Sequence, residues 1–163
     1  MSLPDLAAVL WRQRDLLERL VYRLECEHLL LAAGRTRFLA LATAEVEGLL
    51  DELRVLELQR SEAAERVAAE VGLDAATGLD RLAGAVQPPW TGVLLEHREA
   101  LLALVGELAA LAETNRSLMA AGMKAVESAI AGAGTGTASV GYDAKGRSDL
   151  ISGAGPLVVD RSL

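Results

Sequence analysis

Aliphatic residues recur at alternating spacings of three and four along the first third of the chain, a pattern typical of helices that pack lengthwise against one another. Only Gln13 and Glu27 interrupt the first row, and Gly34 follows it as a residue suited to end a helix. Leucine fills the other six positions of the row 6, 10, 13, 17, 20, 24, 27 and 31. This row predicts a first long helix.

Two further helical rows follow. The second comprises positions 39, 42, 46, 49, 53, 56, 60, 63 and 67, where only Arg60 is not aliphatic or alanine. A connector comes next, with a short helix predicted from Gly78 to Val86 and a stop at Pro88-Pro89. A third long helix is predicted from about Thr91 to Ala131, roughly 60 Å at 1.5 Å per residue.

The three rows predict an all-α fold: an elongated antiparallel bundle of three long helices with a short connector helix. Glycine becomes frequent from Gly132 onward, and this segment has few large apolar residues to offset the entropy of ordering. We therefore expect a helical domain over residues 1–131 and a flexible glycine-rich tail over residues 132–163.

Composition supports helices and argues against several functions. The 163 residues are 52% hydrophobic but only 3% aromatic, which favours packed helices over a β-sandwich or barrel. A net charge of −7 argues against binding to nucleic acid or to anionic membranes. We see neither a membrane span nor a secretory signal. The single cysteine, Cys26, fits a reducing compartment, so we expect a cytoplasmic protein.

The patterns that resemble catalytic or metal sites are incomplete. Glu25 and His28 form one Glu-x-x-His half-motif of a di-metal bundle. The other histidine is His97, and the residue three positions before it is Leu94 instead of the glutamate that a second half-motif requires. Cys26 and His28 are two residues apart and point to different sides of a helix. We therefore expect no catalytic residues, no metal and no cofactor, and we expect that the protein is not an enzyme.

The C-terminal half of the third helix carries a broad apolar strip. Its members span about 140° of the helix surface at 100° per residue; they are Asn115, Leu118, Met119, Gly122, Met123, Val126 and Ile130. Unbranched methionines adapt to varied partners, so such a strip suits recognition of a partner helix. Alternatively the strip completes the core. Asn115 is either a polar residue that sets helix register or a contact for a partner.

Several segments, taken in order, carry a family resemblance. The front holds LWRQRDLLERLVYRLECEHLLLAAGRTRFLA, and the second helix holds ELRVLELQR. Gly72-Leu73 and Leu82-Ala83 flank the connector, and Pro89-Trp90 precedes LLEHREALLAL. NRSLMAAGMKAV begins at Asn115, and YDAKG begins at Tyr142. In these segments the chain resembles the FlgN family of flagellar type III export chaperones, in the form found in high-GC Gram-positive bacteria.

The resemblance implies a small cytoplasmic helical protein that binds the hook-filament junction proteins, keeps them unassembled and escorts them to the flagellar export gate. It also implies that the client binds the C-terminal part of the last helix, which corresponds here to the apolar strip. Tyr142 stands where the family's tail has a recurring tyrosine, which implies a contact with the export gate or with a client.

A second reading from the residues is a homo-oligomeric coiled-coil scaffold or adaptor with no export role. In that reading a second copy of the chain covers the strip of the third helix, and a homodimer is one such form. The two readings differ in whether the strip of the free protein is open to a partner.

Overall fold

The structure is built from α-helices. The computed structural model describes residues 2–134, with side chains up to residue 132. The four α-helices are α1 (Leu3–Ala32), α2 (Leu39–Glu70), α3 (Leu79–Ala85) and α4 (Trp90–Gly134), and a 3-10 turn, Thr36–Phe38, precedes α2. No strand occurs over residues 2–134. The predicted all-α class, with three long helices and a short connector helix, is confirmed.

Glycines in the left-handed conformation end the first two helices. Gly34 has φ 65° and Gly72 has φ 73°, values that residues with a Cβ adopt only under strain. After α1 the Gly34 and Arg35 amides donate to the carbonyls of Leu31 and Leu30, at 3.1 and 2.9 Å. The same two-bond motif follows α2, and in both places it satisfies carbonyls that have no partner within the helix.

Helices α1 and α2 pack antiparallel along their whole length. The Ser2 hydroxyl donates to Glu70 at 2.6 Å near one end, and Thr43 Oγ1 donates to Glu27 Oε1 at 2.7 Å near the other. Gln13 Nε2 donates to Glu57 at 2.8 Å between these two contacts. Because residue numbers rise along one helix as they fall along the other, the pair is a helical hairpin.

The part of α4 up to Ala121 packs on α1 in the parallel direction. The ring centroids of Trp11 and His97 lie 4.9 Å apart, and further along the pair Asn115 Nδ2 donates to the Leu24 carbonyl at 2.9 Å. Residue numbers therefore rise together on the two helices. Since α2 is antiparallel to α1, α4 runs antiparallel to α2, as the predicted antiparallel bundle requires.

One hydrophobic core joins the four helices. The predicted rows supply it: every leucine of the first row from Leu6 to Leu24 is buried, as are most aliphatic positions of the second. Leu82 and Leu94 add α3 and the start of α4, each with 0% exposure. Truncating a leucine in such a core to alanine typically destabilises a protein by about 2–5 kcal/mol.

The chain divides into two compact units, Met1–Ala121 and Gly122–Leu163, and the second is described only over residues 122–134. Helix α4 continues three residues past its predicted end, because glycine lowers helix propensity by about 1 kcal/mol without forbidding a helix. The predicted tail beyond Gly134 lies outside the described residues. The division at residue 131 stays a prediction. Among residues 2–134 no helix is both long and apolar enough to cross a membrane.

Candidate interaction surface

The last turns of α4 carry large apolar side chains that are open to solvent. Met123 is 66% exposed, Val126 59% and Ile130 68%. Gly122 lies among them, and a Cβ added there would meet nothing within 4 Å. At 100° per residue the four positions span about 100° of the helix surface. We call Gly122, Met123, Val126 and Ile130 the distal apolar face.

The distal apolar face carries no charge. Between Leu118 and Gly132 the sequence has only two charged residues, Lys124 and Glu127, and their charges cancel. By the same angular count Glu127 lies beside the face, and Lys124 lies on the far side of the helix. An uncharged apolar face is chemically suited to bind the apolar side of a partner helix.

Leu118 and Met119 belong to the first unit and are half-buried. Ala112, which precedes both, is the last apolar residue of α4 that packs against the hydrophobic core among the described residues. Among the described residues, the members of the predicted strip thus differ in exposure: some are exposed, Leu118 and Met119 are half-buried, and one, described next, is buried.

Asn115 is the buried member, with 1% exposure. Its Nδ2 donates to the Leu24 carbonyl and also to Glu27 Oε2, at 2.9 and 3.1 Å. Its Oδ1 lies 3.1 Å from Nδ1 of His28. Because the side chain is bonded on both its oxygen and its nitrogen, its position fits the register-setting reading. Its contact with a client stays a prediction.

The second oxygen of Glu27 extends this cluster to α2. Glu27 is 4% exposed, and its Oε1 accepts the hydrogen bond from Thr43. Sequence reasoning treated Glu27 and Asn115 as separate interruptions of two apolar rows. Two polar residues on facing apolar rows are the signal that could have paired them, because a buried polar group requires a partner.

The residues of the incomplete catalytic patterns lie in different environments. His28 contacts Asn115, Glu25 is exposed, and Cys26 is half-buried with a free thiol. His97 is 2% exposed against Trp11, and burial lowers its pKa, with the nearby Arg14 charge acting in the same direction. Over residues 2–134 no three metal-binding side chains are placed to hold an ion.

These features define the class of protein: a small all-α protein whose last helix carries an uncharged apolar face that is open to solvent. The family model described as FlgN protein matches residues 1–149, so this chain belongs to the FlgN family. No curated protein and no solved structure matches the chain.

The FlgN family is a family of flagellar export chaperones, not of enzymes, and membership implies binding of flagellar hook-associated proteins at the export apparatus. The match favours the export-chaperone reading over a scaffold with no export role. Assignment to the form of high-GC Gram-positive bacteria stays a prediction.

Proposed function

We propose that this chain is a cytoplasmic chaperone that binds hook-filament junction proteins through the distal apolar face of α4. The bound client is kept unassembled and is delivered to the flagellar type III export gate. One observation carries the proposal: three large apolar side chains on successive turns, Met123, Val126 and Ile130, are each at least 59% exposed. Exposed apolar surface of this kind marks interaction sites.

The proposed mechanism is temporary helix packing. An amphipathic client segment that later packs against its neighbours in the hook-filament junction would first lay its apolar side on the distal apolar face. While bound, this segment is unavailable for assembly. Release requires only a competing interaction at the export gate, and a binding free energy of roughly −8 to −12 kcal/mol, or micromolar to nanomolar affinity, is sufficient.

The predicted site residues have different parts in this proposal. Met123, Val126 and Ile130 make the main contacts, Gly122 lets the client backbone approach closely, and the half-buried Leu118 and Met119 extend the contact. Asn115 holds α4 against α1. Tyr142, proposed to contact the export gate or a client, lies outside the described residues.

A double substitution tests this surface. Met123→Asp with Ile130→Asp places two carboxylates in the proposed apolar contact, where each would lose its hydration. We expect affinity for a purified junction protein, measured by calorimetry, to fall at least about 100-fold, which corresponds to about 2.7 kcal/mol. Helical circular dichroism should be unchanged, because both side chains are exposed.

A matched control distinguishes disruption of the apolar surface from a general effect of added negative charge. Ala121→Asp with Ser128→Asp adds the same charge at the same seven-residue spacing to exposed positions on the opposite side of the helix. The control should bind the client as the wild-type protein does. Normal binding by the Met123/Ile130 variant would show that the client binds elsewhere.

A further inference from the structure

The first unit carries a second group of exposed apolar side chains, near the start of α4. Leu95 is 41% exposed, Leu102 57% and Val105 53%. Ala109 continues the row one turn later and is also exposed. We call Leu95, Leu102, Val105 and Ala109 the proximal apolar row. A single exposed leucine is ordinary, whereas a row along three to four turns of one helix is not.

The proximal apolar row is distinct from the distal apolar face. It ends at Ala109, and Glu113 and Arg116 follow it on the same side of the helix, where they pair with each other. Both of these side chains are about 70% exposed (67% and 71%), so their ion pair contributes little to stability and leaves them available to a partner.

The part of the row from Leu102 to Ala109 is complementary to itself about a point between Val105 and Gly106, whereas Leu95, outside this part, meets Arg116 of the other copy. Positions at equal distances from this point meet when two copies of the helix pack antiparallel about a two-fold axis. Leu102 then faces Ala109, and Val105 faces Gly106, so a large side chain meets a small one in each case. Such alternation lets helices approach to their usual separation of about 8–10 Å.

Charges flank this apolar centre in a complementary order. The same two-fold axis brings Arg98 of each copy to Glu113 of the other; Arg98 lies four residues before Leu102, and Glu113 lies four residues after Ala109. Arg98 is exposed and makes no ion pair among residues 2–134. A parallel pair would instead place Arg98 beside Arg98 and Glu113 beside Glu113. Charge therefore favours the antiparallel arrangement.

We propose that the proximal apolar row binds the same row of a second copy, in an antiparallel two-fold pair centred between Val105 and Gly106. Such an interface is isologous, so it closes at two subunits. The segment from Leu95 to Arg116 is roughly 33 Å long at 1.5 Å per residue, and one helix pair of this length lies at the low end of interface sizes. The dimer is therefore weak and dissociates on dilution.

Sedimentation velocity of the full chain, from about 1 to 200 µM, tests the pair. We expect a reversible monomer–dimer equilibrium in this range. Arg98→Glu and Glu113→Arg should each raise the dissociation constant about 10-fold or more, because each places like charges together at both ends. The combined variant Arg98→Glu/Glu113→Arg should restore association, since it re-forms both pairs with the charges exchanged.

Substituting lysine for two different glycines gives a test of the dimer and a matched control. Gly106→Lys places two lysines beside the two-fold axis and should abolish the dimer. Gly48→Lys adds the same side chain to an exposed position of α2 and should leave the dimer intact. Both variants should fold, because a Cβ at either glycine meets nothing within 4 Å.

Three results would overturn the proposal. The first is a monomer at every concentration, and the second is failure of the combined charge reversal to restore association. The third would come from Leu102→Asp: unchanged sedimentation with weaker binding of a junction protein would assign the row to the client. The dimer does not depend on the client surface, since Met123→Asp with Ile130→Asp should leave it unchanged.

Discussion

At the scale of single residues, the interface between α1 and α4 contains a buried histidine. His97 is 2% exposed, and its Nδ1 is buried without a partner among the described residues. Its ring lies edge-on to Trp11, while Arg14 stacks on the same tryptophan at 4.6 Å and pairs with Glu96 at 3.5 Å. A proton added to His97 would therefore place a buried charge beside a cation, with only Glu96 opposing this effect.

This environment predicts acid sensitivity. Burial and Arg14 lower the pKa of His97 below its ordinary value of 6.5, so the unfolded chain binds more protons than the folded chain as pH falls through 6.5. The free energy of unfolding should therefore decrease from pH 7.5 to about 5.5, above the range where carboxylates titrate. Thermal melts of the wild type and of His97→Gln should show a smaller decrease in the variant. Equal decreases would remove His97 as the cause.

At the scale of helices, the polar cluster around Asn115 joins the three long helices. Asn115 on α4 bonds to α1 at Leu24, Glu27 and His28, and Glu27 bonds onward to Thr43 on α2. Apolar contacts along a helix tolerate a shift of register, whereas this set of hydrogen bonds fits one register only. The cluster therefore fixes the position of α4 at Asn115.

Asn115→Ala should lower the free energy of unfolding by about 2–4 kcal/mol, because it leaves the Glu27 carboxylate and the Leu24 carbonyl short of a donor. Urea denaturation measures this loss. Thr114→Ala, at the exposed neighbouring residue, should change stability by less than about 0.5 kcal/mol. Glu27→Leu combined with Asn115→Leu should recover much of the stability, since both buried polar side chains are then replaced by apolar groups, while Thr43 and His28, which lose their partners, are only half-buried and can bond to water. A loss in Thr114→Ala equal to that in Asn115→Ala would contradict this role.

The same helices show what can be predicted from sequence. The rows of α1 and α2 identify their buried faces, because spacings of three and four define one side of a helix. Gly34 indicates where α1 ends, through its left-handed conformation. The partner of Gln13 was not predictable, because a row describes one helix, whereas the hydrogen bond to Glu57 depends on how two helices meet.

At the scale of the whole chain, the apolar composition is divided between a core and exposed helix faces. Leucines and alanines of α1 to α3 and the start of α4 form the core, but Leu102, Val105, Met123, Val126 and Ile130 are each more than half exposed. Composition alone could not assign these residues, since it counts core and surface together. The apolar positions of α4 continue past Ala112, the last of them that packs against the hydrophobic core, and those beyond it include the distal apolar face.

Hydrogen exchange of the full chain, with and without a purified hook-filament junction protein, tests the central claim most directly. Binding through the distal apolar face should slow amide exchange in peptides covering residues 118–134, because the client covers and orders these turns. Peptides from the middle of α2 should exchange as in the free protein. A client that binds but leaves exchange over residues 118–134 unchanged, while protecting another part of the chain, would contradict the account.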